Sequence, residues 1–350
     1  MATPGDKIPA LDGLRGISIA MVLLAHLSGT RDLATGARLP DLDALGNLGV
    51  RVFFVISGYL ITLLLLQERA ATGRISLSRF YLRRLVRIFP AAYLYMGILF
   101  AFAALGFVVL APYDRLHALT YTVNYHHLRS WYVSHLWSLS VEEQFYLLWP
   151  AVLLLLGTRK GLGLAFALIL LAPCIRMGIW LYWPERRIEI GEAFSTIGDA
   201  LATGCLLAGL RERLGRSERY LRCLRSPWFA VVPLLVFGAN AFQHYPAIDF
   251  LVGETVMNLA IALTIDRSVR VSGDWARRLL ESRLLVGMGV LSYSLYLWQE
   301  PFLNRFSRAE VTWFPLNLLL TFAAAAGSHF LVERPLLKLR QRLRRAPSPT

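Results

Sequence analysis

The sequence predicts an all-α fold, a polytopic transmembrane helix bundle of about ten spans with both termini in the cytoplasm. Three observations carry that prediction. Of 350 residues, 56% are apolar and 17% charged, against about 25% charged in soluble domains, and mean hydropathy is +0.49. The apolar residues gather in runs of about 20, the length that crosses a bilayer. The basic residues fall in blocks on alternate links between those runs, the pattern of the positive-inside rule. This composition excludes a disordered chain, which needs few apolar residues. Three Cys in 350 residues exclude a disulfide scaffold.

The net charge of +14, from 37 Lys and Arg against 23 Asp and Glu, invites a nucleic-acid reading. Nucleic-acid binders cluster their basic residues on one soluble face. Here all are Arg except Lys7, Lys160 and Lys338, and they alternate with apolar runs. No nucleic-acid partner is expected; the partner is the lipid bilayer.

In chain order the expected spans are roughly 11–29, 47–66, 89–111, 136–156, 162–183, 194–210, 228–243, 249–265, 284–304 and 312–332. Pro233 interrupts the seventh. The stretch 112–135 is too long for a tight turn and reads as a loop with a re-entrant piece. The first run has the basic flank of a secretory signal, but no A-x-A-like site follows it and further spans do, so it is read as a retained helix. The second-to-third link carries Arg69, Arg74, Arg79, Arg83, Arg84 and Arg87 against Glu68 alone. The sixth-to-seventh and eighth-to-ninth links are also basic, whereas 30–46 and 184–193 are nearly neutral. An even span count then places both ends in the cytoplasm. The chain reads as one transmembrane domain over 1–340 and a basic, disordered tail at 341–350, with no appended soluble catalytic domain. Cys174 and Cys205 fall within spans and Cys223 in a cytoplasmic link, so none is placed for a disulfide. There is no long repeat, no P-loop and no metal-type Cys/His spacing, so no metal is expected.

Ionisable residues at membrane depth are costly and mark function by default. The first span holds Arg15 and His26, eleven residues apart. That is three turns plus about 20°, so they share one face about 16 Å apart. One polar stripe thus crosses most of the bilayer, with Arg15 at its cytoplasmic foot. The fourth span, starting outside, reads HLWSLSVEEQFY from His135, which brings Glu142 and Glu143 to a depth comparable with His26. A carboxylate oriented on a His supports general-base action; the alternative is a buried ion pair with Arg176 or Arg15. In the second span Ser57 and Gly58 suit close helix packing better than nucleophilic catalysis. In the ninth, Trp298 and Tyr296 fit an aromatic belt, and Glu300 is a candidate substrate contact. His329 and Glu333 close the tenth span as a structural cap. Arg79, Arg83 and Arg87 recur at helical spacing; such a row binds anionic lipid, or equally the phosphates of a nucleotide-like ligand.

Several spaced segments taken together resemble the acyltransferase-3 family of polytopic membrane O-acyltransferases. They are IPALDGLRGISIAMVLLAH, GVRVFFVISGYLI, RFYLRRLVRIFPA, HLWSLSVEEQFYLLWP, SYSLYLWQEP and HFLVERP. The resemblance implies transfer of an acyl group, acetyl foremost, from acyl-coenzyme A (acetyl-CoA above all) to a hydroxyl, usually on a sugar. It implies a catalytic role for His26, with Arg15 in the same motif, and its motif set includes Glu142, Glu143, Arg83, Arg84 and Arg87; combined with the residue reading, Glu142 and Glu143 are expected beside His26, and Arg15, Arg83, Arg84 and Arg87 in a donor site. Ser57, Tyr146, Asn124 and Glu300 are the candidate acceptor contacts, and Trp131, His126 and His127 join Asn124 in the outer loop. Some family members carry a soluble esterase-like domain after the helices, which is not expected here. The expected mechanism has the cytoplasmic Arg residues holding the coenzyme A phosphates, the pantetheine arm threading toward His26, and His26 deprotonating the acceptor; a covalent acyl-His is the variant. The expected location is a bacterial inner membrane. The acceptor stays open between an envelope glycan and a glycosylated small metabolite, as does the oligomeric state. A transporter or flippase for an envelope glycan or lipid precursor is the alternative reading of the polar stripe, though transporters often show internal repeats and none is found. A scaffold without chemistry leaves His26 and the Glu pair unexplained.

Overall fold

The computed structural model describes residues 8–40, 42–241 and 245–338. The expected 341–350 tail lies outside them. Nine helices of eleven residues or more build the described chain: α1 Pro9–Leu27, α2 Ala44–Thr72, α3 Leu77–Ala104, α4 Leu136–Tyr182, α5 Phe194–Gly215, α6 Val231–Ala241, α7 Glu254–Arg270, α8 Arg283–Trp298 and α9 Leu316–Ser328. Among the described residues there is no strand, only the isolated bridges Arg31 to Arg38 and Asp32 to Phe314.

Local chemistry sets the ends. Pro9 starts α1, where its missing N–H costs nothing, and Asp12 in the first turn complements the helix dipole. Gly73, left-handed at φ 74°, closes α2. Ser76 and Ser282 cap α3 and α8 by accepting the N–H of Arg79 and Leu285.

Seven helical stretches are long and apolar enough to cross a bilayer, and a bent pair, Glu218–Arg225 with Pro227–Ala241 at 68°, adds an eighth. This count differs from the expected ten for stated reasons. The expected fourth and fifth spans lie in one run, α4, whose Gly157 has non-helical φ 74° and ψ 169°. A straight helix of that length would be about 70 Å long, over twice the hydrocarbon thickness. Instead a Cβ on Gly161 would lie 2.8 Å from a methyl of Leu153, so the chain doubles back at Gly157. The expected ninth span contains α8, which at 16 residues is short. The expected seventh span falls on the second member of the bent pair, and its C-terminal end runs into 242–244, outside the described residues.

Small residues bring the backbones together. A Cβ on Gly16 would lie 2.2 Å from the carbonyl oxygen of Leu285, and one on Gly289 1.8 Å from that of Asp12. These contacts lock α1 against α8. Gly58 plays the expected packing role: its Cβ would meet the Leu201 carbonyl at 2.0 Å, joining α2 to α5. Beyond α3, the stretch 112–135 folds as short helical pieces around the buried Asp114, whose carboxylate accepts from Ala111 N and Ser130 N and lies 3.0 Å from His126 Nε2.

Candidate functional site

The locked α1 carries Arg15 and His26 into two separate cavities arranged along its length. The first, about 100 Å³, is lined by Arg15, Ser57, Arg84, Arg87, Glu142 and Tyr146 among apolar Phe53, Phe54, Ile88 and Leu139. Its polar wall is one network. Ser57 Oγ donates to Glu142 Oε1 at 2.7 Å, and the Tyr146 hydroxyl donates to Ser57 at 3.3 Å. The Arg84 guanidinium lies over the Tyr146 ring at 5.0 Å and the Phe80 ring at 5.6 Å, a stacking that arginine favours.

The expected arginine row is thus divided. Arg84 and Arg87, three residues apart, face the cavity with Arg15. Arg83 turns the other way, with Nη2 3.0 Å from Glu68 Oε2. At 100° per residue Arg87 lies between the other two, 60° from Arg84 and 40° from Arg83, so Arg84 and Arg83 flank it on opposite sides.

The second cavity, about 350 Å³, is lined by His26, Asp43, Trp131, Trp137, His135, Glu300 and Arg305 among others. His26 packs edge-on against Trp131 with ring centres 5.5 Å apart. Glu300, two residues past the end of α8, lines this cavity with His26, as do His135 and Arg305. Glu300 is 1% exposed: its Oε1 accepts the His135 N–H at 2.9 Å, and Oε2 lies 2.9 Å from His135 Nδ1 without hydrogen-bond geometry. Trp131 Nε1 donates to the Glu300 carbonyl at 3.0 Å.

This geometry corrects the expected pairing of His26 with Glu142 or Glu143. His135, at the start of α4, lines the cavity of His26, whereas Glu142, about 9 Å further along the helix, lines that of Arg15 and accepts from Ser57. Glu143 lines neither cavity, and its Oε1 is buried without a hydrogen-bond partner among the described residues. Asn124 is likewise not at either cavity. It is fully buried, and its amide exchanges hydrogen bonds with the Gln144 amide at 2.9 and 3.4 Å. The alternative ion pair of Glu142 or Glu143 with Arg176 is not formed: Arg176 pairs with Asp199 and Glu254. His329 lies 3.4 Å from Glu333, consistent with a cap.

Sequence reasoning missed His135, Asp43 and Arg305. His135 opens the HLWSLSVEE segment, and an ionisable residue at the head of a span was the available signal. Asp43 and Arg305 stand in two loops 262 residues apart, with nothing local to pair them. Arg305 clamps Asp43 with both arms, one at 2.8 Å, and donates to the Ala25 carbonyl at 2.8 Å. This clamp holds the Asp43 carboxyl below the usual carboxylate range, with help from Ser28. Two loops meet beside it: Phe314 N donates to Arg31 O and Leu33 N to Phe314 O, both at 2.7 Å. Because the folded-state pKa is depressed, the clamp's contribution is in place at neutral pH and is lost as pH falls through it. Hydrogen exchange in 28–40 is expected to quicken below about pH 4 and, at pH 7, in Asp43→Asn. The effect is under about 1 kcal/mol, because the pair is part-exposed; equal protection at pH 7 and pH 3 would contradict it.

Fold and site together define a helical membrane protein whose bundle holds an arginine-lined cavity and a His–carboxylate cavity in line. The chain belongs to acyltransferase family 3: the family's acyltransferase-domain model matches residues 8–332. O-acetyltransferase OatA of Staphylococcus aureus (strain NCTC 8325 / PS 47) is 29% identical over 370 aligned residues, which cover 95% of this chain and 57% of the relative. OatA of strains COL and MRSA252 is similar to the same degree. The chain therefore spans 57% of the length of these relatives. No solved structure matches the chain.

Proposed function

We propose that this chain is a membrane O-acyltransferase that moves an acyl group, acetyl foremost, from acyl-coenzyme A to a hydroxyl of a carbohydrate or glycosylated acceptor. The observation that carries this reading is the alignment of the two cavities: Val50 and Tyr296 line both. A donor held at one end thus has a direct line to His26 at the other. The arginine cavity suits the donor. Arg84 and Arg87 offer planar forks that bind phosphate on two arms, and the apolar walls suit the pantetheine arm. Ser57, Glu142 and Tyr146 hold Arg84 in place through the network described above.

In the histidine cavity, His26 takes the proton of the acceptor hydroxyl as its oxygen attacks the thioester carbon. The carbon–sulfur bond then breaks, and the imidazolium returns the proton to the departing thiolate. Glu300, fixed by His135, stabilises the imidazolium while it exists. Trp131 gives a sugar ring an apolar face, and His26 Nδ1 is buried without a hydrogen-bond partner among the described residues, so a polar acceptor satisfies it. In this reading the arginine cavity opens to the cytoplasm of a bacterial inner membrane, as the Arg-rich links support, and both chain ends lie on that side. Relatives named O-acetyltransferase support the acetyl group.

The test is transfer of radiolabelled acetyl from acetyl-CoA to candidate glycans by the purified protein in liposomes. Label appearing on a glycan is the expected result; no label on any acceptor, with the protein folded, overturns the reading. Arg84→Ala and Arg87→Ala are each expected to weaken coenzyme A binding by about 10- to 150-fold, the loss of one charge-assisted contact of about 1.5–3 kcal/mol. Calorimetry checks this, and unchanged affinity in both variants removes the donor role of the cavity.

A further inference from the structure

The wall between the two cavities is narrow and specific. Among the described residues, only Val50 of α2 and Tyr296 of α8 line both sides, with Ser138 on the arginine side and Trp137 on the histidine side. Val50 is 7% exposed and Tyr296 also 7%, so neither side chain has free room to swing. Tyr296 is pinned: its hydroxyl donates to the His135 carbonyl at 2.9 Å and lies 2.6 Å from Ser138 Oγ. Its ring packs on the His135 ring at 5.5 Å. The α2 backbone beside Val50 is fixed as well, because a Cβ on Gly49 would meet the Ser18 carbonyl at 2.6 Å. Side chains on fixed backbones yield only by small shifts.

We infer that Val50 and Tyr296 form the neck through which the acyl thioester reaches His26, and that their bulk sorts acyl donors by cross-section. The inference rests on the proposed use of acyl-coenzyme A. A linear acyl chain leads into the neck and is no wider than the unbranched cysteamine end of the pantetheine arm that follows it, so butyryl goes where acetyl goes. A chain branched next to the carbonyl, such as isobutyryl, is wider at the point that must pass between Val50 and the Tyr296 ring. Tyr296 sets one jaw by its hydrogen bonds, and Val50 sets the gap opposite.

The experiment compares Val50→Ala and Val50→Leu with the wild type in liposomes, using acetyl-, butyryl- and isobutyryl-CoA. Wild-type protein is expected to use butyryl-CoA far better than isobutyryl-CoA. Val50→Ala is expected to raise the isobutyryl-to-acetyl ratio of kcat/KM by about tenfold or more, and Val50→Leu to lower it, since one methylene in a pocket is worth about 10–200-fold. Binding of the non-transferable thioethers S-ethyl-CoA and S-isobutyl-CoA, measured by calorimetry, is expected to shift in the same ratio. A general loss of packing lowers all donors together and leaves these ratios where they were. Ratios unchanged in both variants overturn the neck. Absence of transfer from every acyl-CoA by the wild type, with thioether binding also absent, overturns the donor reading and the neck with it.

Discussion

Replacing His26 with Ala is expected to reduce acyl transfer by at least about a hundredfold while coenzyme A binding is retained. General-base catalysis is worth about 10²–10⁴, and no second group stands ready to replace it. His135, the other imidazole of the cavity, is 2% exposed and engaged by Glu300. The arginine cavity lies beyond Val50 and Tyr296, so losing the imidazole leaves the donor contacts untouched. Glu300→Gln keeps the shape of the side chain and removes its charge. It is expected to lower kcat by more than it raises KM for the acceptor, because a charge that stabilises imidazolium acts when the proton moves. Glu142→Gln, on the far side of the neck, is expected to act on donor KM instead. Steady-state kinetics with both substrates varied separates these outcomes. Near-normal transfer by His26→Ala would remove the proposed base, and a Glu142 variant behaving like Glu300→Gln would restore the pairing expected from sequence.

What was legible in the sequence follows from which physics is local. Helix periodicity, apolar length and arginine blocks are properties of consecutive residues, and each expected span is helical over most of its length. The shared face of Arg15 and His26 needed only the helical repeat. The close approach at Gly58 needed only a missing side chain. The depth of Glu142 was not legible, because it depends on where α4 begins relative to α1, and tertiary packing sets that. The partners of His26 come from α8 and the head of α4, more than a hundred residues away in the chain. The division of the arginine row has the same origin. Spacing places Arg79, Arg83 and Arg87 on one face, but the position of α3 in the bundle decides which flank of Arg87 meets the cavity, and it is the flank that carries Arg84. Asn124 illustrates the reverse: a polar residue in an outer loop reads as a contact site until its amide is found locked to Gln144.

Outside the two cavities, Arg176→Ala is expected to destabilise the bundle by about 3–5 kcal/mol, the cost of breaking a buried ion pair from one side. Arg176 is fully buried. It donates to the Thr196 carbonyl at 2.9 Å, lies 3.0 Å from Asp199 and bonds Glu254, which Arg51 approaches from the other side at 2.7 Å. Asp249 on the neighbouring π-helical turn adds a third carboxylate to the same field. Two guanidiniums thus tie α2, α4, α5 and α7 together at membrane depth, where an unpaired charge has no water to turn to. Removing Arg176 leaves three carboxylates facing Arg51 alone. Arg176→Ala combined with Asp199→Ala removes one charge of each sign, and is expected to be less destabilised than the single variant despite losing more atoms. Unfolding in mixed micelles, followed by tryptophan fluorescence, reads both. A single variant within 1 kcal/mol of wild type, or a double variant weaker than the single, would show that the cluster is not what holds the second half of the bundle to α2.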